Sequence, residues 1–308
     1  METPEEAGAH INNLHEAVWQ LAAISLALRD PATVGPDLRY VAGQVVTASG
    51  LGSSDERALR LGPGLAQLVH LQGGDETRLS SQAAAPILQA AALLSGATDW
   101  TRQDDEALLA QGRASAQSAG PFKMFAVPMM EGLGELLAAP SPVMLDVGVG
   151  VGAMATAWCQ AFPGLHIVGV DVFPRALELA SGLVADADLA DRIELRNQDV
   201  IDLDDRDTYC FAWLPAPFIP PNTLETSLPR VFAALVPGGW IGLGHGKFGA
   251  DPLSDAITRL QTVAFGGTPL DNDDAQLLLG RAGFESVVTL PTPQGAPGIT
   301  VGRRPPLQ

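Results

Sequence analysis

The sequence predicts an α/β protein in which a helical N-terminal region precedes an open, mostly parallel sheet. From residue 143 onward, short apolar, β-branched runs alternate with stretches of helical apolar spacing, as in parallel strands joined by crossover helices. Before residue 143 such strand-like runs are almost absent. We therefore expect a helical domain over residues 1–117, a connecting helix over 118–140 and an α/β domain over 141–308.

The composition narrows the classes of function. The chain has 308 residues, 46% of them hydrophobic, which is enough for one large domain or two ordinary ones. Its net charge is -17, and no run of basic residues is longer than Arg303-Arg304, so we do not expect nucleic acid or anionic membranes as partners. The acidic N-terminus, the lack of a membrane-length apolar run and the low cysteine count predict a cytoplasmic protein. Cys159 and Cys210 are predicted to be buried small hydrophobes, and no metal site is expected.

The N-terminal region is expected to be all-helical. Apolar residues at helical spacing run from about residue 10 to residue 29, where Pro31 ends the pattern. Further helices are predicted at 36–48, 65–71, 83–94 and 104–116. A Met- and Phe-rich helix over 122–137 follows, with Pro128 as a kink. Its residues Phe122 and Met129 are candidates for one wall of an apolar substrate pocket, with core packing as the alternative.

The α/β domain opens with a strand, a glycine turn, a helix and a second strand. These are a strand over 143–147, the glycines Gly148, Gly150 and Gly152, a helix over 153–161, and a strand over 166–170 that ends in Asp171. Glycine suits a turn where the backbone comes close to a ligand, because a Cβ would leave no room. An acid at the end of the second strand can accept hydrogen bonds from both hydroxyls of a ribose. The segment therefore predicts a site for a nucleoside-bearing ligand.

Two ligands of this kind are possible, a nicotinamide dinucleotide and S-adenosylmethionine (SAM). Gly148, Gly150 and Ala153 satisfy a dinucleotide fingerprint, so the glycines alone leave a NAD(P)-dependent oxidoreductase open. Asp146 favours SAM, because a carboxylate there would repel a pyrophosphate but could pair with the α-ammonium of a methionine moiety. Neither tyrosine of the chain is followed four residues later by the lysine that a dehydrogenase acid–base pair would need.

The pattern Asp146-x-Gly148-x-Gly150-x-Gly152, followed by Asp171, resembles the first two motifs of the class I SAM-dependent methyltransferases. Weaker similarities follow in the same order along the chain, at the Pro-Gly-Gly turn of LVPGGWIGLG and the Gly-Phe turn of AGFESVVTLP. The resemblance spans about residues 141–304. It implies a Rossmann-like, seven-stranded sheet with an antiparallel seventh strand at 298–302, SAM as cofactor and S-adenosyl-L-homocysteine (SAH) as product.

The elements between these motifs continue the alternation. They are helices at 174–184, 222–235, 251–265 and 271–281, and strands at 192–196, 208–214 and 241–244. The resemblance implies that Asp199, after the third strand of the sheet, contacts the adenine amino group, with an ordinary loop carboxylate as the alternative. We also place Val172, Val200 and Trp213 in the cofactor site.

The segment after the fourth strand bears on the methyl acceptor. Related enzymes that methylate amino groups of nucleobases or glutamine carry an Asn- or Asp-Pro-Pro-Tyr/Phe tetrad here, whereas this chain has Leu214-Pro215-Ala216-Pro217-Phe218. The missing amide or carboxylate counts against DNA amino-methylation. We expect Leu214, Pro215 and Phe218 to line the substrate pocket.

His245 is the candidate catalytic base. It is the only one of the five histidines predicted at the carboxyl end of a strand, where open α/β sheets present their ligands, although a loop histidine bonded to backbone is the alternative. We expect methyl transfer to a small, largely apolar organic acceptor, with O- or C-methylation favoured over N-methylation, in secondary metabolism. A SAM-binding protein without methyl transfer is an alternative. The helical region is expected to support a homodimer.

Overall fold

The computed structural model describes residues 4–28, 36–54, 59–61, 76–94, 100–102, 104–248, 252–264, 266–292 and 297–307. The chain divides into two compact units, one made of Met1–Ser95 with Leu109–Gln117 and one made of Gly96–Leu108 with Ser118–Gln308. The segment Gly96–Leu108 belongs to the second unit.

The first unit is built mainly from helices. They are α1 (Pro4–Ala27), α2 (Pro36–Ala48), α3 (Glu76–Leu94) and the part of α4 (Asp105–Ala116) that belongs to this unit. Ile24 and Leu28 are buried one turn apart against Val46, whereas Val18 and Leu21 of the same predicted apolar stripe are exposed. The Arg39 side chain donates to the carbonyl of Ala27, one of the last-turn carbonyls that an α-helix leaves unpaired.

The expectation of an all-helical first unit was wrong in one place. Strand β1 (Gly52–Ser54) pairs with β2 (Leu59–Leu61) in an antiparallel hairpin. Three residues are too few to give a period-two signal in the sequence. The predicted helix at 65–71 lies outside the described residues.

The predicted helix at 122–137 is not continuous. An α-helical turn at Ala119–Pro121 leads into a π-helical turn at Phe122–Ala126, a 3-10 turn at Val127–Met129 and then helix α5 (Leu133–Leu137). Pro128 has no N–H to donate to the preceding turn, and Gly132 has a left-handed φ of 80° just before α5. These two residues explain why the segment is broken.

The second unit contains a seven-stranded sheet, as predicted. Its strands are β3 (Val143–Val147), β4 (His166–Asp171), β5 (Ile193–Asn197), β6 (Tyr209–Pro215), β7 (Leu235–His245), β8 (Glu285–Thr289) and β9 (Gly298–Arg303). They are ordered β5-β4-β3-β6-β7-β9-β8. β9 runs antiparallel to both of its neighbours, β7 and β8. The other four neighbouring pairs of the sheet are parallel, as crossover connections require. The helices that follow the strands are α6 (Ala153–Ala161), α7 (Pro174–Asp186), α8 (Pro221–Ala234), α9 (Pro252–Ala264) and α10 (Asn272–Arg281).

The sheet has two faces, each with its own apolar core. Met144 of β3 and Phe211 of β6 pack with Trp158 of α6, and we call this side the α6 face. Leu145 of β3 packs with residues of α8 on the opposite side, which we call the α8 face. Because side chains alternate along a strand, neighbouring positions of one strand belong to different faces. This parity decides which predicted site residues can meet.

Among the described helices, none combines the length and the apolar composition that crossing a membrane requires.

Candidate functional site

The turn between β3 and α6 is formed by the predicted glycines. Gly148, Gly150 and Gly152 have φ values of 67°, 56° and 72°, in the left-handed region that residues with a Cβ avoid. The N–H groups of Gly148 and Val149 both donate to the carbonyl of Val170, at 2.9 and 3.1 Å. The turn is thereby attached to the end of β4.

Gly169, inside β4, was not predicted as part of the site. It pairs in register with Asp146, and a Cβ built on it would lie 2.7 Å from Cγ2 of Val149. Only a glycine lets Val149, from the glycine turn, lie this close to the strand. A glycine inside an otherwise apolar strand is the sequence signal for such a close approach.

Asp171 connects the glycine turn to the segment after β4. Its Oδ2 accepts from the N–H of Gly150 at 2.8 Å and its Oδ1 accepts from the N–H of Phe173 at 2.9 Å. Burial raises the pKa of Asp171, and hydrogen bonds from the backbone of Phe173, Gly150 and Val172 act in the opposite direction. A carboxylate oxygen has two lone pairs, so both oxygens can still accept from a diol.

Asp146 is the most unusual polar residue of the site. It is 1% exposed, and neither of its carboxyl oxygens has a hydrogen-bond partner in the described part of the chain. Burial, with a smaller contribution from the negative charge of Asp171, raises the pKa of Asp146 from 3.8 to about 8. A buried polar group without a partner costs roughly 1–3 kcal/mol, so its persistence calls for a functional explanation.

The chemistry of these residues fits a ligand that carries both a cation and a ribose. A primary ammonium would give Asp146 the partner that the described residues do not provide, and Asp171 would accept from the ribose hydroxyls. The three glycines leave this turn without side chains, so its backbone can pass close to such a ligand. The residues present therefore fit SAM better than they fit a pyrophosphate.

The other predicted cofactor residues have different surroundings. Val172 is 60% exposed beside Asp171, in a position open to a ligand. Asp199 caps the short 3-10 helix Val200–Asp202 by accepting from the N–H of Ile201 at 3.1 Å. The side chain of Val200 is buried in the apolar core of the α8 face, so only its backbone is left to contact a ligand.

Trp213 lies beside Asp146 on the neighbouring strand. The two residues are paired in register between β3 and β6, and both belong to the α6 face. The Trp213 ring covers two glycines of β7, because a Cβ would lie 3.1 Å from the ring at Gly242 and 2.9 Å from it at Gly244. Because Gly242 and Gly244 have no side chains, β7 leaves space for the indole.

The prediction that His245 is the catalytic base is contradicted by its position. Its side chain is fully buried on the α8 face, the side opposite to Asp146. Nδ1 lies 2.7 Å from the carbonyl of Gly246, so Nδ1 donates and carries the proton. Nε2, 2.9 Å from Oγ1 of Thr300, then accepts from that hydroxyl. Burial lowers the pKa of His245, against the effects of the Gly246 carbonyl and Asp271, and both ring nitrogens are engaged within the protein.

Two of the predicted substrate-pocket residues belong to the core instead. Phe122 is buried among aromatic rings, with ring centroids 4.8 Å from Trp158 and 5.1 Å from Phe211. Leu214 is fully buried on the α8 face with residues of α8, because it is one position after Trp213 and therefore points the other way. These two assignments were wrong.

The other three predicted pocket residues remain candidates. Met129 and Phe218 are exposed to a ligand, and Pro215 borders the glycine turn. Pro215 is buried beside Gly148, whereas Met129 is 51% and Phe218 is 36% exposed. Phe218 meets the ring of Trp100 edge to face, with centroids 5.1 Å apart. Trp100 was missed, since nothing in the sequence around it connects it to the segment after β6.

Comparison with known proteins agrees with this geometry. Residues 144–239 match the model of a methyltransferase domain. The release factor glutamine methyltransferase of Rhodopirellula baltica is 30% identical over 149 residues, which are 47% of this chain and 46% of that protein. The chain thus spans about half the length of this curated relative.

Solved structures resemble the whole chain more closely in fold than in sequence. An O-methyltransferase family protein from Burkholderia thailandensis has a TM-score of 0.66 at 15% identity, with 100% of both chains covered. Human N-acetylserotonin methyltransferase in complex with SAM has a TM-score of 0.63 at 14% identity, covering 97% of this chain and 96% of that one. At these identities the likeness concerns the fold, including the N-terminal helical region.

Proposed function

We propose that the segment matching a methyltransferase domain, residues 144–239, belongs to a class I SAM-dependent methyltransferase, and that the protein transfers the SAM methyl group to a small, largely apolar organic acceptor. O- or C-methylation is favoured over N-methylation, and secondary metabolism is the proposed setting. The observation that carries the proposal is the buried carboxyl of Asp146, which finds no hydrogen-bond partner among the described residues and lies beside Asp171 and the glycine turn. It suits the amino-acid end of SAM.

The protein's own residues would act mainly by binding and orienting. SAM would supply a methyl group on a sulfonium: its carbon–sulfur bond would break as the acceptor oxygen or carbon bonds to the methyl group, SAH would leave as a neutral thioether, and the proton of the acceptor would pass to the solvent. Asp146 would bind the α-ammonium, Asp171 the ribose, and Asp199 and Val172 the adenine side of the ligand. Holding the methyl group in line with the acceptor supplies most of the rate enhancement that such a transfer needs.

The acceptor is proposed to bind against the apolar residues near the end of β6. Met129 and Phe218 are exposed there, and Pro215 borders the glycine turn. Glutamine, which the release factor methyltransferase is named for, is not proposed as the acceptor. The position that would carry an amide or carboxylate is Leu214, which is buried on the opposite face of the sheet.

The organisation of the protein is also a proposal. We place the SAM-binding catalytic domain at 141–308, a connecting segment at 118–140 and a dimerisation domain at 1–117, and we propose a cytoplasmic homodimer. Exposed apolar side chains on α1 and α2 support the dimer, among them Val18, Tyr40 and Val41. A monomeric mass by light scattering at micromolar concentration would contradict it.

A binding experiment with an Asp146→Ala variant tests the cofactor site. Calorimetric titration of the wild-type protein with SAM should show binding, titration with NAD(P)H should not, and Asp146→Ala should abolish the SAM signal. Circular dichroism establishes that the variant is folded, and Asp188→Asn, an exposed aspartate outside the site, is the matched control. Unchanged SAM affinity in Asp146→Ala would reject the assigned pocket.

A SAM-binding protein without methyl transfer is the second candidate. It is favoured by the position of His245, because the described residues near Asp146 then offer no histidine as base. Incubation with candidate acceptors and methyl-labelled SAM separates the two functions. Labelled product with equimolar SAH supports the transferase, whereas tight SAM binding without either product supports the alternative.

A further inference from the structure

We propose that ligand binding at this site releases a proton, because the Asp146 carboxyl is protonated in the ligand-free protein and ionises when the α-ammonium of SAM or SAH pairs with it. The inference rests on the proposed function, since it takes these two molecules as the ligands. In the step, the O–H bond of the carboxylic acid breaks and the proton passes to the buffer. The carboxylate then forms an ion pair with the ammonium.

The geometry around Asp146 explains why the acid is protonated. The side chain is 1% exposed, and the described protein offers its oxygens no N–H, hydroxyl or cation. In register on one side of Asp146 is Gly169, which has no side chain, and on the other is Trp213, which has no charge. A carboxylate in these surroundings would have neither water nor a donor, so the neutral form is favoured.

The charged groups on the surrounding helices and strands do not stabilise the ionised form of Asp146. β4 contributes Asp171, whose negative charge opposes ionisation of Asp146. Lys123 of the broken helix donates to the carbonyl of Ala161, and Arg175 of α7 pairs with Asp105 and Glu178. The remaining charged residues of α5 and α7 are acids, Glu135 and Asp186, while α6 and the glycine turn contain no charged residue.

A bound ammonium reverses the balance. It supplies a positive charge and N–H donors at an oxygen that has none, which favours the ionised form of Asp146 strongly in so dry an environment. With the pKa of Asp146 at about 8 before binding, nearly every molecule must lose this proton when the ligand binds near pH 6.5. Affinity should therefore rise with pH by about tenfold per unit below pH 7 and level off near pH 8.

Calorimetry measures this proton directly. Titrations of the full-length protein with SAH at pH 6.5, in buffers of different ionisation enthalpy, should show release of about one proton per ligand bound. The dissociation constant should fall about 30-fold between pH 5.5 and pH 7.0, a range in which the amine of the ligand stays mostly protonated. 5′-Methylthioadenosine is the matched control ligand. It keeps the adenosine and the thioether but lacks the amino acid, so it should bind with no proton release.

Substitution locates the proton. Asp146→Asn should bind SAH more weakly, with affinity independent of pH and no proton released, whereas Asp188→Asn should behave like the wild-type protein. SAH binding with less than about 0.2 proton released, or equal release in Asp146→Asn, would overturn the inference. If Asp146→Asn binds no SAH, the comparison of SAH with 5′-methylthioadenosine on the wild-type protein decides the question. Failure of SAH to bind between pH 5.5 and pH 8 would instead overturn the proposed function.

Discussion

The Asp146→Asn substitution should stabilise the ligand-free protein at neutral pH. The acid has its usual pKa of 3.8 in the unfolded chain and a pKa of about 8 when folded, so folding takes up a proton between these values. The contribution of the protonated acid to the free energy of unfolding is fully present below pH 3.8 and is lost as the pH rises from 3.8 to about 8. Asparagine does not titrate, and its stability therefore does not change across this window.

The magnitude follows from the width of the window. At pH 7 the unfolded acid is roughly three pH units above its pKa, and each unit is worth about 1.4 kcal/mol, which gives about 4 kcal/mol as a ceiling. Relaxation around the buried group reduces this, so we expect about 2 kcal/mol. Asparagine and the neutral acid both lack hydrogen-bond partners among the described residues, so the cost of burying an unpaired polar side chain largely cancels between the variant and the wild-type protein. For a unit of this size, about 2 kcal/mol raises the melting temperature by about 4–8 °C.

Thermal unfolding at several pH values provides the assay. The difference in melting temperature between Asp146→Asn and the wild-type protein should be near zero at pH 4, should grow through pH 6 and should be largest near pH 8. Asp188→Asn should show no such growth. A variant that is no more stable than the wild-type protein at pH 7.5, or a difference that does not depend on pH, would refute the reasoning and indicate a cationic partner for Asp146.

Two further predictions concern residues that hold the site together and residues that lie away from it. Gly152→Ala should lower the free energy of unfolding by about 1–2 kcal/mol, because residue 152 has a left-handed φ of 72° and the new Cβ would lie 3.2 Å from that of Ala180. The control is Gly182→Ala on α7, where a Cβ meets no atom within 4 Å. In the same chemical denaturation series it should be neutral or stabilising. Thr300→Val should lower the free energy of unfolding by about 1–3 kcal/mol, because it removes the hydroxyl that donates to Nε2 of His245, while Thr300→Ser should retain stability. SAH affinity should be unchanged in both variants. A loss of SAH affinity in Thr300→Val would instead indicate that His245 takes part in ligand binding.

The sheet was predictable because its signals are local. The apolar runs at β3 and β4, the glycine turn between them and the Pro-Gly-Gly turn each reflect a few neighbouring residues. The structure confirmed the seven-stranded, mostly parallel sheet and its antiparallel β9. The bounds of β7 were predicted less well. It begins at Leu235, before the predicted turn, because a shift in register between Tyr209 and Phe211 lets the strand continue past it.

Site residues could be predicted from the sequence only where their place at the end of a strand is enough to locate them. Where the face of the sheet also matters, the prediction failed. Leu214 was assigned to the pocket because it ends a strand, but Trp213 and Leu214 cannot both face the same side. The prediction for His245 failed for the same reason. The face of the sheet on which His245 lies follows from the pairing of β7 with β9, not from the residues around it in the sequence. The hydrogen bonds from Gln276 to Thr289, from Thr289 to Thr300 and from Thr300 to His245 join residues far apart in the chain. Only the folded arrangement reveals them.

The structure also changes the reason why Asp146 favours SAM over a dinucleotide. A carboxylate would repel a diphosphate at any pH above its pKa, but the ligand-free acid is neutral at pH 7 and repels little. Selectivity then comes from what each ligand does to the acid after binding. An ammonium is attracted to the ionised form and makes ionisation favourable, whereas a diphosphate would have to bind beside a neutral, partnerless acid and the negative charge of Asp171. The preference for the cationic ligand should therefore increase as the pH rises from 6 to 8, in parallel with the release of the proton.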